Sequence, residues 1–140
     1  MKIASGIFRK ITNNKWTGLG VSMEDSQPMI LSSSNEPIAP EVLSRGAQEQ
    51  AYLALRLAYI ESHAKQAEPL PVIMDEILVN FDPARAERTA KAIISLGNIP
   101  NQQLFYFTCH PDMVTLLKAA SPHSPVYSVA DKKITKNTDY

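Results

Sequence analysis

Asp75 and Glu76 stand side by side at the end of the apolar run "PVIM". Two carboxylates leaving a hydrophobic strand are costly to desolvate unless they meet a cation or water. The chemistry that uses such a pair is phosphoryl transfer to water. Asp75 would hold Mg²⁺, directly or through its water, while Glu76 orients and deprotonates the attacking water. The same pair also reads as two capping acids at a strand end. A second apolar run, "LFYFTCH", ends in His110. A parallel neighbour of the first strand would bring that imidazole to the same edge of the sheet. There it can donate to a phosphate oxygen or position water, or it simply closes the strand. In "VNFDPAR", Asp82 precedes Pro83 and reads first as the N-cap of a helix. "LSRGAQEQ" offers Ser44, Arg45, Gly46 and Gln48 at the start of a long helical pattern. Backbone N–H groups at a helix start favour anions, so this stretch is an anion site in outline. Many helices start in the same way.

These residues need elements to hold them. From Gly46 to about Ala64 the chain has no further Gly or Pro and is rich in Ala, Leu and Gln. Tyr52, Leu53, Leu57 and Ile60 recur at helical spacing, with Ala54, Leu55 and Ala58 widening the stripe, so a mostly buried helix is expected, N-capped at Ser44. "PVIMDEILVNF" reads as a buried parallel strand, apolar on both faces. "DPARAERTAKAIISLG" reads as a helix begun by Asp82 and Pro83 and ended by Gly97. "QQLFYFTCH" reads as a second buried strand, "PDMVTLLKAA" as a third helix, and "SPVYSVADKKITK" as a last strand with a polar tail. Upstream, residues 3–11 read as a short helix or the tail of a longer one. Short strands near 15–22 and 28–32, joined by a turn, form a small N-terminal β segment. The alternation of helix and strand predicts an α/β fold with a mostly parallel sheet flanked by helices. The expected organisation is a single domain over 1–140, with the β segment in 1–40 and the chemistry in 41–140.

Composition narrows the function classes. The chain has 140 residues, 44% of them hydrophobic, and 14 Lys plus Arg balance 14 Asp plus Glu. No global basic field argues for nucleic acid, and Lys132, Lys133 and Lys136 read as a solvated tail. The single cysteine, Cys109, excludes an intrachain disulfide and a cysteine-rich metal site. No apolar run approaches the ~20 residues that cross a bilayer, and the N-terminal residues lack a signal-peptide core. No membrane association and a cytoplasmic location are expected. His63 and His123 fall in surface segments and carry no assignment.

The order "LSRGAQEQ", "PVIMDE", "NFD", "FTCH" resembles the C-terminal half of an ABC-type ATPase head of the SMC, RecF and RecN class. The wording is most similar to YhaN-like coiled-coil ATPases. In that likeness the first motif is the ABC signature and the second is Walker B, with Asp75 the Mg²⁺-side acid and Glu76 the base. The third is the D-loop, centred on Asp82, and the fourth the switch loop, ending in His110. Arg45 departs from the glycine usual at its place in the signature. A G-x-x-x-x-G-K-[ST] phosphate loop occurs nowhere in the sequence.

The resemblance implies ATP and Mg²⁺ as cofactors, with Ser44, Arg45, Gly46, Gln48 and Asp82 facing nucleotide. It implies a partner that supplies the Walker A half, from the same or another chain, and a head-to-head homodimer in which Ser44 and Gly46 act on the partner's γ-phosphate. DNA contact and a role in repair or chromosome maintenance come with the same likeness. Residues 3–11 would be the end of a returning coiled-coil arm. Two other readings stand beside it: a non-catalytic dimerisation or interaction module derived from such a lobe, and a metal-dependent phosphohydrolase built from Asp75, Glu76 and His110 alone.

Overall fold

The computed structural model describes residues 1–22 and 26–138. Helix α1, Lys2–Ile11, places Ala4, Phe8 and Ile11 on one buried face, the i, i+4, i+7 spacing of a helix that packs on one side. It lies against a three-stranded antiparallel sheet in the order β1 (Gly18–Val21), β2 (Pro28–Leu31), β3 (Pro37–Ile38). Ser5 Oγ fastens the two together, donating to Leu19 O (3.0 Å) and accepting from Leu19 N (2.9 Å). Gly18 is needed for that approach, because a Cβ there would stand 2.9 Å from Ser5 Oγ. The β segment of the sequence reading is thus present, with a third strand that the two prolines masked. The turn expected between its first two strands falls partly outside the described residues.

Helix α2, Arg45–Ala64, follows a single 3-10 turn at Pro40–Val42. It buries Ala47, Gln50, Ala51, Ala54, Leu57 and Ala58. Tyr52 does not belong to the buried stripe: it is 48% exposed. Strand β4, Val72–Asp75, is followed by a turn and then helix α3, Pro83–Leu96. Strand β5, Leu104–Phe107, leads into helix α4, Pro111–Ala120. Phe8, Ile11, Ile30, Leu57, Leu78 and Ile93, contributed by α1, β2, α2, the post-β4 turn and α3, form one apolar core.

Two expectations about strands are corrected. β4 and β5 were expected to be apolar on both faces inside a mostly parallel sheet. They do pair in parallel, Val72 opposite Leu104 through Asp75 opposite Phe107, but this is the one parallel pairing among the described strands. Only one face is covered. Met74 and Tyr106 turn toward the core, while Ile73, Phe105 and Phe107 are 70%, 46% and 50% exposed on the other side. The run "PVIMDEILVNF" also stops being a strand at Asp75, because Glu76 adopts φ 50° and turns the chain. Leu78 then drops into the core, fully buried, with its N–H donating to Tyr106 Oη at 3.1 Å.

The C-terminal stretch is not one strand with a tail. β6, Val126–Ala130, and β7, Lys133–Asn137, form an antiparallel hairpin. Asp131 and Lys132 are its two-residue loop, both at positive φ, the backbone that matches the twist of flanking strands. Lys133 and Lys136 therefore sit on a strand rather than in a tail.

Candidate active site

The parallel register of β4 and β5 ends both strands at one edge. Glu76 N–H continues the ladder by donating to Phe107 O (3.1 Å), so Glu76 and the segment Thr108–His110 leave the sheet together. Thr108 Oγ1 donates to Glu76 Oε2 (2.9 Å), and Cys109 N–H donates to Glu76 Oε1 (2.6 Å). Thr108 Oγ1 also accepts from His110 N–H at 3.0 Å, which fixes the hydroxyl between the two residues. His110 Nε2 lies 4.0 Å from Glu76 Oε1, with the two side chains 50% and 28% exposed. Asp75, the residue before Glu76, is exposed at the same strand end.

The electrostatics follow from these contacts. The Cys109 N–H, first, and the Cys109 and Thr108 side chains hold the Glu76 carboxyl below its ordinary range, against a smaller opposing effect of burial. The same carboxylate raises the Cys109 thiol, chiefly through a side-chain hydrogen bond. Burial raises the Tyr106 phenol, reinforced by the nearby charges of Glu76 and Asp75. The edge therefore presents an ionised carboxylate with its two oxygens anchored, an imidazole in reach and a second free carboxylate beside them.

The other sequence-derived residues occupy a second place. Ser44 is the N-cap residue of α2 with extended φ and ψ, and its C=O accepts from Ala47 N–H (2.9 Å) and Gln48 N–H (3.1 Å). Its side chain makes no capping bond and is left exposed. Arg45 points to solvent and pairs with Glu49 on the next turn, 2.9 Å apart. Gln48 Nε2 donates to Pro40 O (2.8 Å) and Leu43 O (3.2 Å), so it ties down the entering loop. Asp82 caps α3 as the sequence implied: Oδ1 accepts from Arg85 N–H (3.0 Å), and Oδ2 pairs with Arg85 Nε (2.8 Å). The Arg85 guanidinium reaches on to α2, where a Cβ at Gly46 would meet Nη1 at 2.8 Å.

Beside the start of α2 lies a cavity of about 290 Å³ lined by Ser44, Gln50, Lys15, Trp16, Arg85 and Arg88, among others. Sequence reasoning missed Thr108, Cys109 and Arg85. Thr108 and Cys109 were visible only as polar residues after an apolar run, and Arg85 as one charge on a helix.

No protein-family model matches the chain. Over 110 residues, 79% of its length, it is 29% identical to the uncharacterized protein YhaN of Bacillus subtilis (strain 168), and it spans 11% of that relative. Among solved structures it is similar to an SMC ATPase studied for ATP-driven dimerization and DNA-stimulated activation, with a TM-score of 0.68 at 19% identity. That match covers 98% of this chain and 82% of the other. It is similar to the SMC head bound to the C-winged helix domain of ScpA, with a TM-score of 0.69 at 19% identity over 97% of this chain and 41% of the other. It is also similar to the SMC head domain from Thermotoga maritima, with a TM-score of 0.59 at 13% identity over 98% of this chain and 47% of the other. The chain has the α/β fold of SMC ATPase heads, and these likenesses agree with the resemblance carried by the motif order.

Proposed function

We propose that the chain is the C-terminal lobe of a coiled-coil ABC ATPase head that hydrolyses ATP only when a Walker A-bearing half completes it. The observation that carries this reading is the anchored Glu76 carboxylate at the shared end of β4 and β5, with His110 Nε2 4.0 Å away. Glu76 accepts two hydrogen bonds, one on each oxygen, and keeps lone pairs free to take a proton from water. Its lowered pKa keeps it in the accepting form. His110 stands where it can donate to a phosphoryl oxygen or orient the same water. Asp75, an exposed carboxylate, fits the oxygen preference of Mg²⁺, which when bound with ATP supplies charge neutralisation on the phosphates.

Ser44 and Gly46 begin α2, and in this reading they face the γ-phosphate held by another head. Ser44 Oγ is not engaged in capping its own helix, which leaves it available. Arg45, exposed and paired with Glu49, and Gln48, which ties down the entering loop, stand beside them on the nucleotide-facing side in the same reading. In this reading the missing half covers the exposed face of Ile73, Phe105 and Phe107, while its strands pair with a free edge of β4–β5 to build the larger parallel sheet. The lobe then covers 1–140, with α1 as the foot of a coiled-coil arm. A head-to-head homodimer, DNA contact, and a place in repair or chromosome maintenance in the cytoplasm extend the same reading.

The test is ATP turnover with the two halves combined. The chain alone is expected to be inactive; adding the Walker A half restores turnover, and Glu76→Gln in the mixture removes it. Turnover by the isolated chain, abolished by the same substitution, would refute the half-site reading. Nucleotide-dependent association without any turnover would instead favour the non-catalytic interaction module.

A further inference from the structure

Glu76, Cys109 and His110 bring three chemically different donors to one point. A carboxylate oxygen, the thiol sulfur and an imidazole nitrogen all lie within 4.8 Å of one another. Ligand atoms around a tetrahedral Zn²⁺, at bonds of about 2.0–2.3 Å, sit roughly 3.3–3.7 Å apart. Closing this set onto an ion therefore asks each donor to move by about 1 Å or less. Glu76 is already held by Thr108 and the Cys109 N–H, and Oε1 retains a lone pair after accepting that bond. Cys109 and His110 are exposed, so their side chains can turn without disturbing the core.

The donor set selects its ion. Mg²⁺ and Ca²⁺ take oxygen ligands and have no use for a thiolate. Sulfur and imidazole nitrogen favour Zn²⁺, Co²⁺ and related thiophilic ions. Asp75, adjacent in sequence, offers only oxygen. The same sheet edge thus carries two different preferences, a hard one at Asp75 and a soft one at the three-residue cluster.

We propose that Glu76, Cys109 and His110 form a binding site for a thiophilic divalent cation such as Zn²⁺, with the fourth position left to water. Binding replaces the thiol proton with the metal and releases that proton to solvent, and His110 enters as the neutral imidazole. The occupied site engages the Glu76 carboxylate and the His110 nitrogen, the two groups assigned above to hydrolysis. A soft metal is therefore an inhibitor of the completed head wherever that assignment holds, whereas metal binding itself does not depend on it.

Co²⁺ is the probe, because a thiolate–cobalt bond absorbs in the near ultraviolet and can be followed without ATP. Titrating Co²⁺ into the 140-residue chain is expected to develop this band, and Zn²⁺ is expected to erase it. Cys109→Ser removes the band. Glu76→Gln and His110→Ala keep the thiol but weaken Co²⁺ binding by on the order of tenfold or more. Circular dichroism is expected to show each variant folded, because Cys109 and His110 are exposed and Gln keeps the shape of the half-buried Glu76. No band in the wild-type chain overturns the proposal, and so does a band equally strong in Glu76→Gln and His110→Ala, which would mean that the thiol acts alone. Because the readout is spectral, a failed assignment of Glu76 as catalytic base leaves this result standing.

Discussion

At the scale of single residues, the proposed chemistry rests on how Glu76 is held. Cys109 N–H and Thr108 Oγ1 both donate to it, and both favour its charged form. Thr108→Val removes one donor and keeps the other, so the Glu76 titration is expected to move up part of the way toward the ordinary carboxylate value. Side-chain carboxyl NMR across an acid titration measures this; no movement would mean that the hydroxyl does not hold the carboxylate. Linkage fixes the sign for stability. A carboxyl whose pKa is lower in the folded chain stabilises it above the unfolded value and loses that contribution as pH falls through the folded value. The stability gap between wild type and Glu76→Gln should therefore narrow on acidification, as read by denaturant unfolding at several pH values. The acids and His110 could be read from the sequence because each ends an apolar run. The hydrogen bonds that orient them could not, since a Thr and a Cys before a histidine look like any strand end. Arg45, the residue that departs from the usual signature, turned out to be a surface partner of Glu49.

At the scale of elements, caps and turns set the positions. Asp82 accepts the Arg85 N–H at the first turn of α3, so Asp82→Ala should lower stability by about 1 kcal/mol, within the range of lost N-caps. Ser44 occupies the same position on α2 without a side-chain bond, and Ser44→Ala should be close to neutral in the same chemical denaturation. If the proposed role of Ser44 holds, Ser44→Ala should lower turnover of the completed head while leaving stability unchanged. Equal stability losses at the two positions would contradict this account of α2. The helices were legible for different reasons: a periodic, Pro-free run after Ser44 marked α2, Pro at the first turn marked α3 and α4, and the capping Asp82 strengthened α3, whereas α1 had only its apolar spacing. The strands were less so. A short apolar run reads alike whether one face or two are covered, and "PVIMDEILVNF" gave no sign that a positive φ at Glu76 would end the strand. The Asp131–Lys132 turn was hidden in what looked like a charged tail.

At the scale of the whole molecule, the open face of β4 and β5 determines how the chain behaves alone. Ile73, Phe105 and Phe107 form an apolar patch beside a strand edge, an arrangement that invites association. Phe105→Asp with Phe107→Asp should weaken capture by the Walker A half in a pull-down or titration and reduce self-association on a sizing column. Unchanged behaviour in both assays would place the partner elsewhere. A further link crosses the molecule from α2 to α3. Arg85 holds Asp82 with one side of its guanidinium and fills the space above Gly46 with the other. A methyl group at position 46 must push the guanidinium aside, and the Asp82 contact moves with it. Two motifs that lie 36 positions apart in the sequence therefore share one movable part. In a double-mutant cycle, Gly46→Ala and Asp82→Asn should be non-additive, and the sign and size of that coupling would report how strongly the start of α2 senses the cap of α3.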